Sequence, residues 1–293
     1  MSETRLFSGD DSAQVAELSR VVRSRPKDVI DPYPPASEIE MMADAAARGK
    51  GEERHPHVIE VDGTVVGFGA LDFSDDLHRA QLVGPIVHPA HRHKGCARKL
   101  LASLVDQARL ARQHEIRATV GGMNQTGRVL LEKAGFKTLA CNSLLRIARP
   151  KSFGDVQMDG VTVRRATYDD AHDVHEFVRR LVPRNAKQTR SVLKTSEYIV
   201  LLAEKRKQIV GFAEVDLRQP GIALLEHLDG PPNMLHVGLG NLLLWESVRT
   251  AFENPEVEFF DLVAVGNDPK MLTAYANVGF ELLHDLVVYE LKL

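Results

Sequence analysis

The sequence predicts an α/β fold built twice over, and three observations carry that prediction. First, the β-branched run QLVGPIV, residues 81–87, breaks at a proline and passes through a basic, glycine-containing loop into an amphipathic helix. Second, HEIRATVGG at 114–122 has the character of a strand, Asn124 opens the helical stretch GRVLLEKAGF, and Gly135-Phe136 closes it. Third, the same landmarks return after residue 150. VVGFGALDF matches IVGFAEVDL, so that Phe68 and Phe212 stand 144 residues apart; Gly95 and Gly238, like Asn124 and Asn267, stand 143 apart, and Gly135-Phe136 and Gly279-Phe280 stand 144 apart. Landmarks that hold register within one residue over such a span indicate a duplicated domain. The halves are placed at 1–149 and 161–293, with a linker at 150–160.

Each element has a local reason. TRLF at 4–7 is a short strand, and Asp10 to Arg23 is a helix with Asp10 or Asp11 as its N-cap and Val15, Leu18, Val21 and Val22 on one face. The four prolines of RPKDVIDPYPP forbid regular structure, whereas Ser37 to Arg48 is alanine-rich and helical by propensity. Residues 57–73 form a hairpin whose Asp62-Gly63 dipeptide suits a type I′ turn. Pro85 lacks the N–H a central strand needs, which argues against a central position for its strand unless that strand bulges. In the second half VTVRRA is a strand, Tyr168 to Val182 a helix capped by Asp169 or Asp170, and TSEYIVLLAE and QIVGFAEVDL are strands. Asp11 and Asp170 are 159 apart, so the first half carries extra residues, which fall in its proline-rich and alanine-rich stretch.

Composition narrows the function. With 37 basic against 40 acidic side chains and a net charge of −3, the chain is no polyanion binder, and its basic residues at 92–99 form a local patch. No nucleic-acid partner is expected. No apolar run has the length to cross a bilayer, and MSETRLFSGDD lacks the basic start and apolar core of a signal peptide, so a cytoplasmic protein without a membrane partner is expected. Cys96 and Cys141 cannot make a disulfide framework, and no Cys/His spacing matches a structural zinc site.

The basic loop is the main candidate site. Arg92-His93-Lys94-Gly95-Cys96-Ala97 fits R-x-x-G-x-A, in which Gly95 supplies backbone freedom and Ala97 keeps bulk off the approach to the helix. Unpaired N–H groups at the helix start, with Arg92 and Lys94 beside them, favour a pyrophosphate over a neutral ligand. Neighbouring features are weaker. His88, His91 and His93 have no carboxylate or cysteine partner at metal-ligand spacing, so no metal is expected; Cys96 fills a variable position of the motif; and the loop lacks the G-K-[ST] of a nucleotide-binding P-loop.

In its order of strand, V-x-P, R-x-x-G-x-A helix, strand, Asn, helix and G-F, the sequence resembles the GNAT superfamily of acyl-CoA-dependent N-acyltransferases. The resemblance implies two tandem GNAT-like domains, each a mixed, mostly antiparallel twisted sheet flanked by helices, with acetyl-CoA or CoA as the acyl-donor cofactor. It implies that the 81–87 strand and the next one splay, that the pantetheine arm lies between them, and that backbone N–H groups near Ile86 and Val87 face the thioester carbonyl. Arg92, His93, Lys94, Gly95, Cys96 and Ala97 would hold the pyrophosphate, with Asn124 close by. Many members place a tyrosine four residues before the glycine of the G-F pair, close to the sulfur. That position is Leu131 in the first half and Tyr275 in the second.

The second half keeps Gly238 and Gly240 in its loop but has lost the Arg and Lys, leaving backbone N–H groups and His236 for a pyrophosphate. There Tyr275 could act as the acid, and Glu226 or Glu214 as the base for an incoming amine. The expected reaction is transfer of an acetyl group to the primary amine of a small-molecule or peptide acceptor, with the cofactor bound by the first half. Catalysis in the second half around Tyr275, and a non-catalytic acyl-CoA-binding module, are the alternatives. Monomer and homodimer both stay open.

Overall fold

Strand alternation and turn chemistry lay down the first sheet. The computed structural model describes residues 2–23, 56–74, 78–153, 156–179 and 185–293. The helix expected at 37–48 and the proline-rich stretch before it lie outside the described residues. Strand β1 (Ser2–Leu6) leads to helix α1 (Ser12–Arg23), which buries Val15, Leu18 and Val22. Strands β2 (His57–Val61) and β3 (Thr64–Ser74) are joined by Asp62 at φ 50° and Gly63 at φ 80°, the two positive values a type I′ turn requires. The cap of α1 differs from expectation. A 3-10 turn over Gly9–Asp11 precedes the helix, Ser8 is the capping residue, and the Asp11 carboxylate accepts the Ser8 N–H at 2.7 Å.

Next come β4 (Arg79–Val87), α2 (Cys96–Leu110), β5 (Glu115–Gly121), α3 (Gln125–Lys133) and β6 (Lys137–Ala148). Helix α2 buries Leu100, Leu101, Leu104 and Ala108, the amphipathic face read from sequence. The second half follows the same plan. It contains β7 (Val161–Arg165), α4 (Ala171–Val178), α5 (Ala186–Lys194), β8 (Tyr198–Lys205), β9 (Gln208–Gln219) and β10 (Ile222–Asp229). These are followed by α6 (Gly240–Ala251), β11 (Phe259–Ala264), α7 (Pro269–Asn277) and β12 (Glu281–Lys292).

Side chains repeat as well as elements. Arg5 donates to Asp11 at 2.7 and 2.8 Å and to Glu60 at 2.9 Å, while the Ser8 hydroxyl reaches Asp11 at 3.1 Å. Arg164 donates to Asp170 at 2.7 and 2.9 Å and to Glu204 at 2.7 Å, while the Thr167 hydroxyl reaches Asp170 at 2.9 Å. In both networks the arginine holds the aspartate carboxyl below its ordinary range. The second-half helix therefore starts from Thr167 through a 3-10 turn at Tyr168–Asp170, with Asp170 bracing the cap.

The packed bodies do not follow a cut at residue 150. One compact unit comprises Met1–Ser143, Val265–Asn267 and His284–Leu293, and the other Leu144–Ala264 and Asp268–Leu283. In the first unit the strand order is β1-β2-β3-β4-β5-β12; in the second it is β6-β11-β10-β9-β8-β7. Each unit is thus completed by the last strand of the other half. β12 carries Val287 and Tyr289 into the first core, and β6 carries Leu145 and Ile147 into the second. Both sets of strands are mixed and mostly antiparallel, with a parallel pair in each, β4–β5 and β10–β11. A division at 150–160 describes the order of the elements along the chain, not these two bodies.

Candidate active site

The site begins with the bulge that Pro85 requires. In the β3–β4 ladder Phe68 faces Ile86 and Ala70 faces Val83, so Gly84 and Pro85 together stand opposite Gly69. Gly84 takes φ 80°, and the His88 N–H restores the ladder by donating to the Val66 carbonyl at 2.8 Å. On its other edge β4 pairs in parallel with β5 only from Arg79–Glu115 to Gln81–Arg117. β4 continues to Val87 and β5 to Gly121, so the two strands part and leave a slot between their ends.

At the mouth of the slot the chain turns through the basic loop. His93 has φ 60° and Gly95 φ 83°, and α2 starts at the next residue with Gly95 as its cap. A Cβ on Gly95 would meet nothing within 4 Å, so the approach to this helix end is open. The fifteen-residue helix directs its positive end there. Arg92 turns back and donates from Nε to the Val87 carbonyl at 3.1 Å, which ties the loop to the end of β4.

A cavity of about 380 Å³ runs from the loop into the slot. Its lining includes Val87, Arg92, His93, Gly95, Cys96, Ala97 and Asn124, seven of the residues anticipated from sequence. Ile86 and Lys94 are not among its lining residues: Ile86 is buried with Phe68, and Lys94 is exposed at the loop tip. Asn124 is buried, and its side-chain oxygen accepts the Gly127 N–H at 2.9 Å, capping α3. Cys96 packs with Ile59, Val66 and Leu100, as a small apolar side chain would.

Sequence reasoning missed part of the wall. Lys133, Thr126, Gly127 and Leu130 come from α3, and Val120 from β5. Arg92 and Arg98 put positive charge on the lining at the loop, Lys133 adds a cation from α3, and Val87 and Val120 of the parted strands are apolar, as are Leu130 and Leu131 of α3. Leu131 is 2 % exposed and belongs to the first core, and among the described lining residues there is no carboxylate or phenol.

In the second half the open glycine loop expected at 235–240 is helical. A single turn, Pro232–Met234, and a π-turn, Leu235–Leu239, run directly into α6. Gly238 keeps a positive φ of 124°, but Gly240 has helical angles of −60° and −44°, so α6 does not start from a left-handed glycine as α2 does. The physical reason is apolar: Leu239 is fully buried in the second core with Leu235 packed against that core, and this draws the segment onto it.

The remaining candidates fall in two places within this unit. Tyr275 packs edge-on to Phe280 with ring centroids 6.0 Å apart, and burial pushes its phenol pKa up. Glu226 lies 3.7 Å from the Arg218 guanidinium, which also pairs with the buried Asp216. Glu214, Glu226 and His227 bring their ligating atoms within 4.8 Å of one another, a grouping the sequence reading did not single out.

Among the described residues no helix is long and apolar enough to cross a membrane. Residues 23–136 match the sequence model of the acetyltransferase (GNAT) family. The chain is similar to the mycothiol acetyltransferase of Stackebrandtia nassauensis, 32% identical over 82 residues that cover 28% of this chain and 26% of that protein. It is also similar to the L-amino acid N-acyltransferase MnaT of Escherichia coli, 35% identical over 86 residues that cover 28% of this chain and 50% of that protein. The chain therefore spans between about a quarter and half the length of these curated relatives.

Among solved structures, a tandem GNAT protein from the clavulanic acid biosynthesis pathway has a TM-score of 0.75 at 18% identity, covering 100% of this chain and 98% of that one. A GCN5-related N-acetyltransferase from Sphaerobacter thermophilus has a TM-score of 0.77 at 18% identity, covering 99% and 95%. The bulged strand, the splayed slot and the glycine-capped helix all lie within the segment that matches the GNAT family model, and over its whole length the chain has the fold of a tandem GNAT protein.

Proposed function

We propose that this protein is an acyl-CoA-dependent N-acyltransferase that moves an acetyl group from acetyl-CoA to the primary amine of a small-molecule or peptide acceptor, with the acyl donor held in the first unit. One observation carries the reading. A single cavity is cationic at a left-handed glycine cap and apolar between two parted strands, which suits a ligand that is polyanionic at one end and uncharged at the other. The N–H groups of the first turn of α2 would bind the pyrophosphate, with Arg98 and Lys133 beside them. The unpaired edges of β4 and β5 would flank the pantetheine arm. The duplication boundary at 150–160 belongs to the same reading, supported by the two equivalent arginine–aspartate networks.

The chemistry demands little of side chains. The amine lone pair attacks the thioester carbonyl, a C–N bond forms and the C–S bond breaks; the proton shed by the amine balances the one taken up by the thiolate. A thiol pKa of about 8.5 makes thiolate a fair leaving group near neutral pH, so Leu131 in place of a phenol is compatible with turnover. Orientation in the slot supplies the main acceleration.

A second reading puts catalysis in the second unit, favoured by Tyr275, whose burial keeps its phenol protonated. Calorimetry with acetyl-CoA on the wild type, Gly95→Glu and Gly238→Glu, with turnover of Tyr275→Phe alongside, separates the two. One site lost only in Gly95→Glu, with Tyr275→Phe still active, supports the first unit. Loss only in Gly238→Glu, or a dead Tyr275→Phe, moves the reaction to the second. No binding by the wild type overturns both.

A further inference from the structure

The parted strands raise a question of support. Beyond Arg117, β5 has no ladder to β4, yet it supplies Val120 to the cavity wall. Its other edge is paired with β12 along its whole length, from Gly121–Leu286 to Glu115–Lys292. The turn that follows is fixed by the same strand. The Gly122 N–H donates to the Asp285 carbonyl at 2.6 Å, and a Cβ on Gly122 would lie 3.0 Å from the Asp285 Cβ, so a larger residue would have to press the two backbones apart by a few tenths of an ångström.

Helix α3 has nine residues, too short to be stable alone, and depends on tertiary anchors. One side of it lines the cavity through Thr126, Gly127, Leu130 and Lys133. Arg128 and Glu132, one turn apart and absent from that lining, are both held by a single hydroxyl. Tyr289 donates to Glu132 Oε1 at 2.9 Å and accepts from Arg128 Nε at 3.3 Å. Its ring is fully buried in the first core among Val120, Leu131 and Phe136.

We propose that the C-terminal strand of the chain is part of the first unit's acyl-CoA site, and that Tyr289 is the positioning residue through which it sets α3 against the cavity. The inference rests on the reading that acyl-CoA binds there. Tyr289 touches no ligand; it holds the helix whose opposite side does. With the hydroxyl removed, α3 is competent for only a fraction of the time, and apparent affinity falls by that fraction.

The test uses the full-length chain and two readouts. In the absence of ligand, Tyr289→Phe speeds hydrogen exchange of the amides of residues 122–134 and leaves those of β2 and β3 unchanged. By calorimetry and kinetics, its Kd and KM for acetyl-CoA rise by up to about tenfold, the equivalent of one hydrogen bond, while kcat falls less. Glu132→Gln, which keeps an acceptor, stays near wild type, and Glu132→Ala behaves like Tyr289→Phe. A merely structural role would lower the melting temperature without moving KM, and that result overturns the proposal. So does unchanged exchange at 122–134, or faster exchange with unchanged affinity. A wild type that fails to bind acetyl-CoA removes the functional reading, while the exchange result still reports on the anchor.

Discussion

Gly84 and Gly95 offer a useful comparison, because both take a positive φ and their surroundings differ. Their φ values are 80° and 83°, so alanine at either is strained, by about 1–2 kcal/mol for a left-handed residue such as Gly95. At Gly95 there is nothing more to add, since a Cβ meets no atom within 4 Å. At Gly84 the Cβ would lie 3.0 Å from the Ile86 nitrogen and 3.1 Å from the Phe68 carbonyl oxygen, both backbone atoms of the bulged ladder. Neither can move without opening the β3–β4 pairing, which adds roughly 1–3 kcal/mol.

Urea unfolding at neutral pH followed by circular dichroism should therefore rank wild type, Gly95→Ala and Gly84→Ala in falling order, with the last pair separated by at least about 1 kcal/mol. Asparagine, which tolerates the left-handed region, should recover part of the loss at Gly95. Acetyl-CoA affinity should survive in Gly95→Ala, where the cavity stays open, and fall sharply in Gly84→Ala, where the slot is built from the displaced strand. Equal destabilisation by the two alanines, or a harmless Gly84→Ala, would refute the reasoning.

The paired cap networks give a prediction in acid. Asp11 and Asp170 have depressed folded-state pKa values, held down chiefly by hydrogen bonds from Arg5 and Arg164, so each stabilises the fold above the ordinary aspartate pKa of about 3.9 and loses that contribution as pH falls through its folded value. Asp11→Asn and Asp170→Asn should lower the urea midpoint at pH 7, and the gap to wild type should close below about pH 4. A gap that stays constant with pH would argue against the linkage.

What was legible in the sequence was what is local. Asp62-Gly63 specifies its turn within two residues, and Arg92 to Ala97 carries its cations, its left-handed glycine and its helix start in one stretch. The β8–β9 turn was less legible, because Arg206 and Lys207 take φ values of 51° and 64° without any glycine to announce them. The second-half loop was misread because G-x-G says nothing of whether neighbouring leucines will be drawn onto a core, as Leu235 and Leu239 are. Lys133 was missed because it reaches the cavity from a helix that only tertiary packing brings there.

The exchange of last strands was the least legible feature, since β6 and β12 are equivalent strands 144 residues apart and pattern alone does not say which sheet each completes. Charge does. In the observed arrangement Glu290 faces Arg117 on β5, and Arg146 forms two hydrogen bonds to Asp261 on β11 at 2.7 and 2.8 Å. Position 146 is the counterpart of 290, and 117 of 261. Were each half to keep its own strand, Arg146 would stand by Arg117 and Glu290 by Asp261, two like-charge contacts in place of two opposite ones. Asp261 is 5 % exposed, so reversing its partner with Arg146→Glu should cost at least about 3–5 kcal/mol in urea unfolding, as for a broken buried pair. Adding Asp261→Arg restores an opposite pair at the same place and should recover most of the loss. If Arg146→Glu is tolerated, or if the double variant is no better than the single, the choice of strand does not lie in these charges and must come from the packing of Tyr289 and Ile147 in their respective cores.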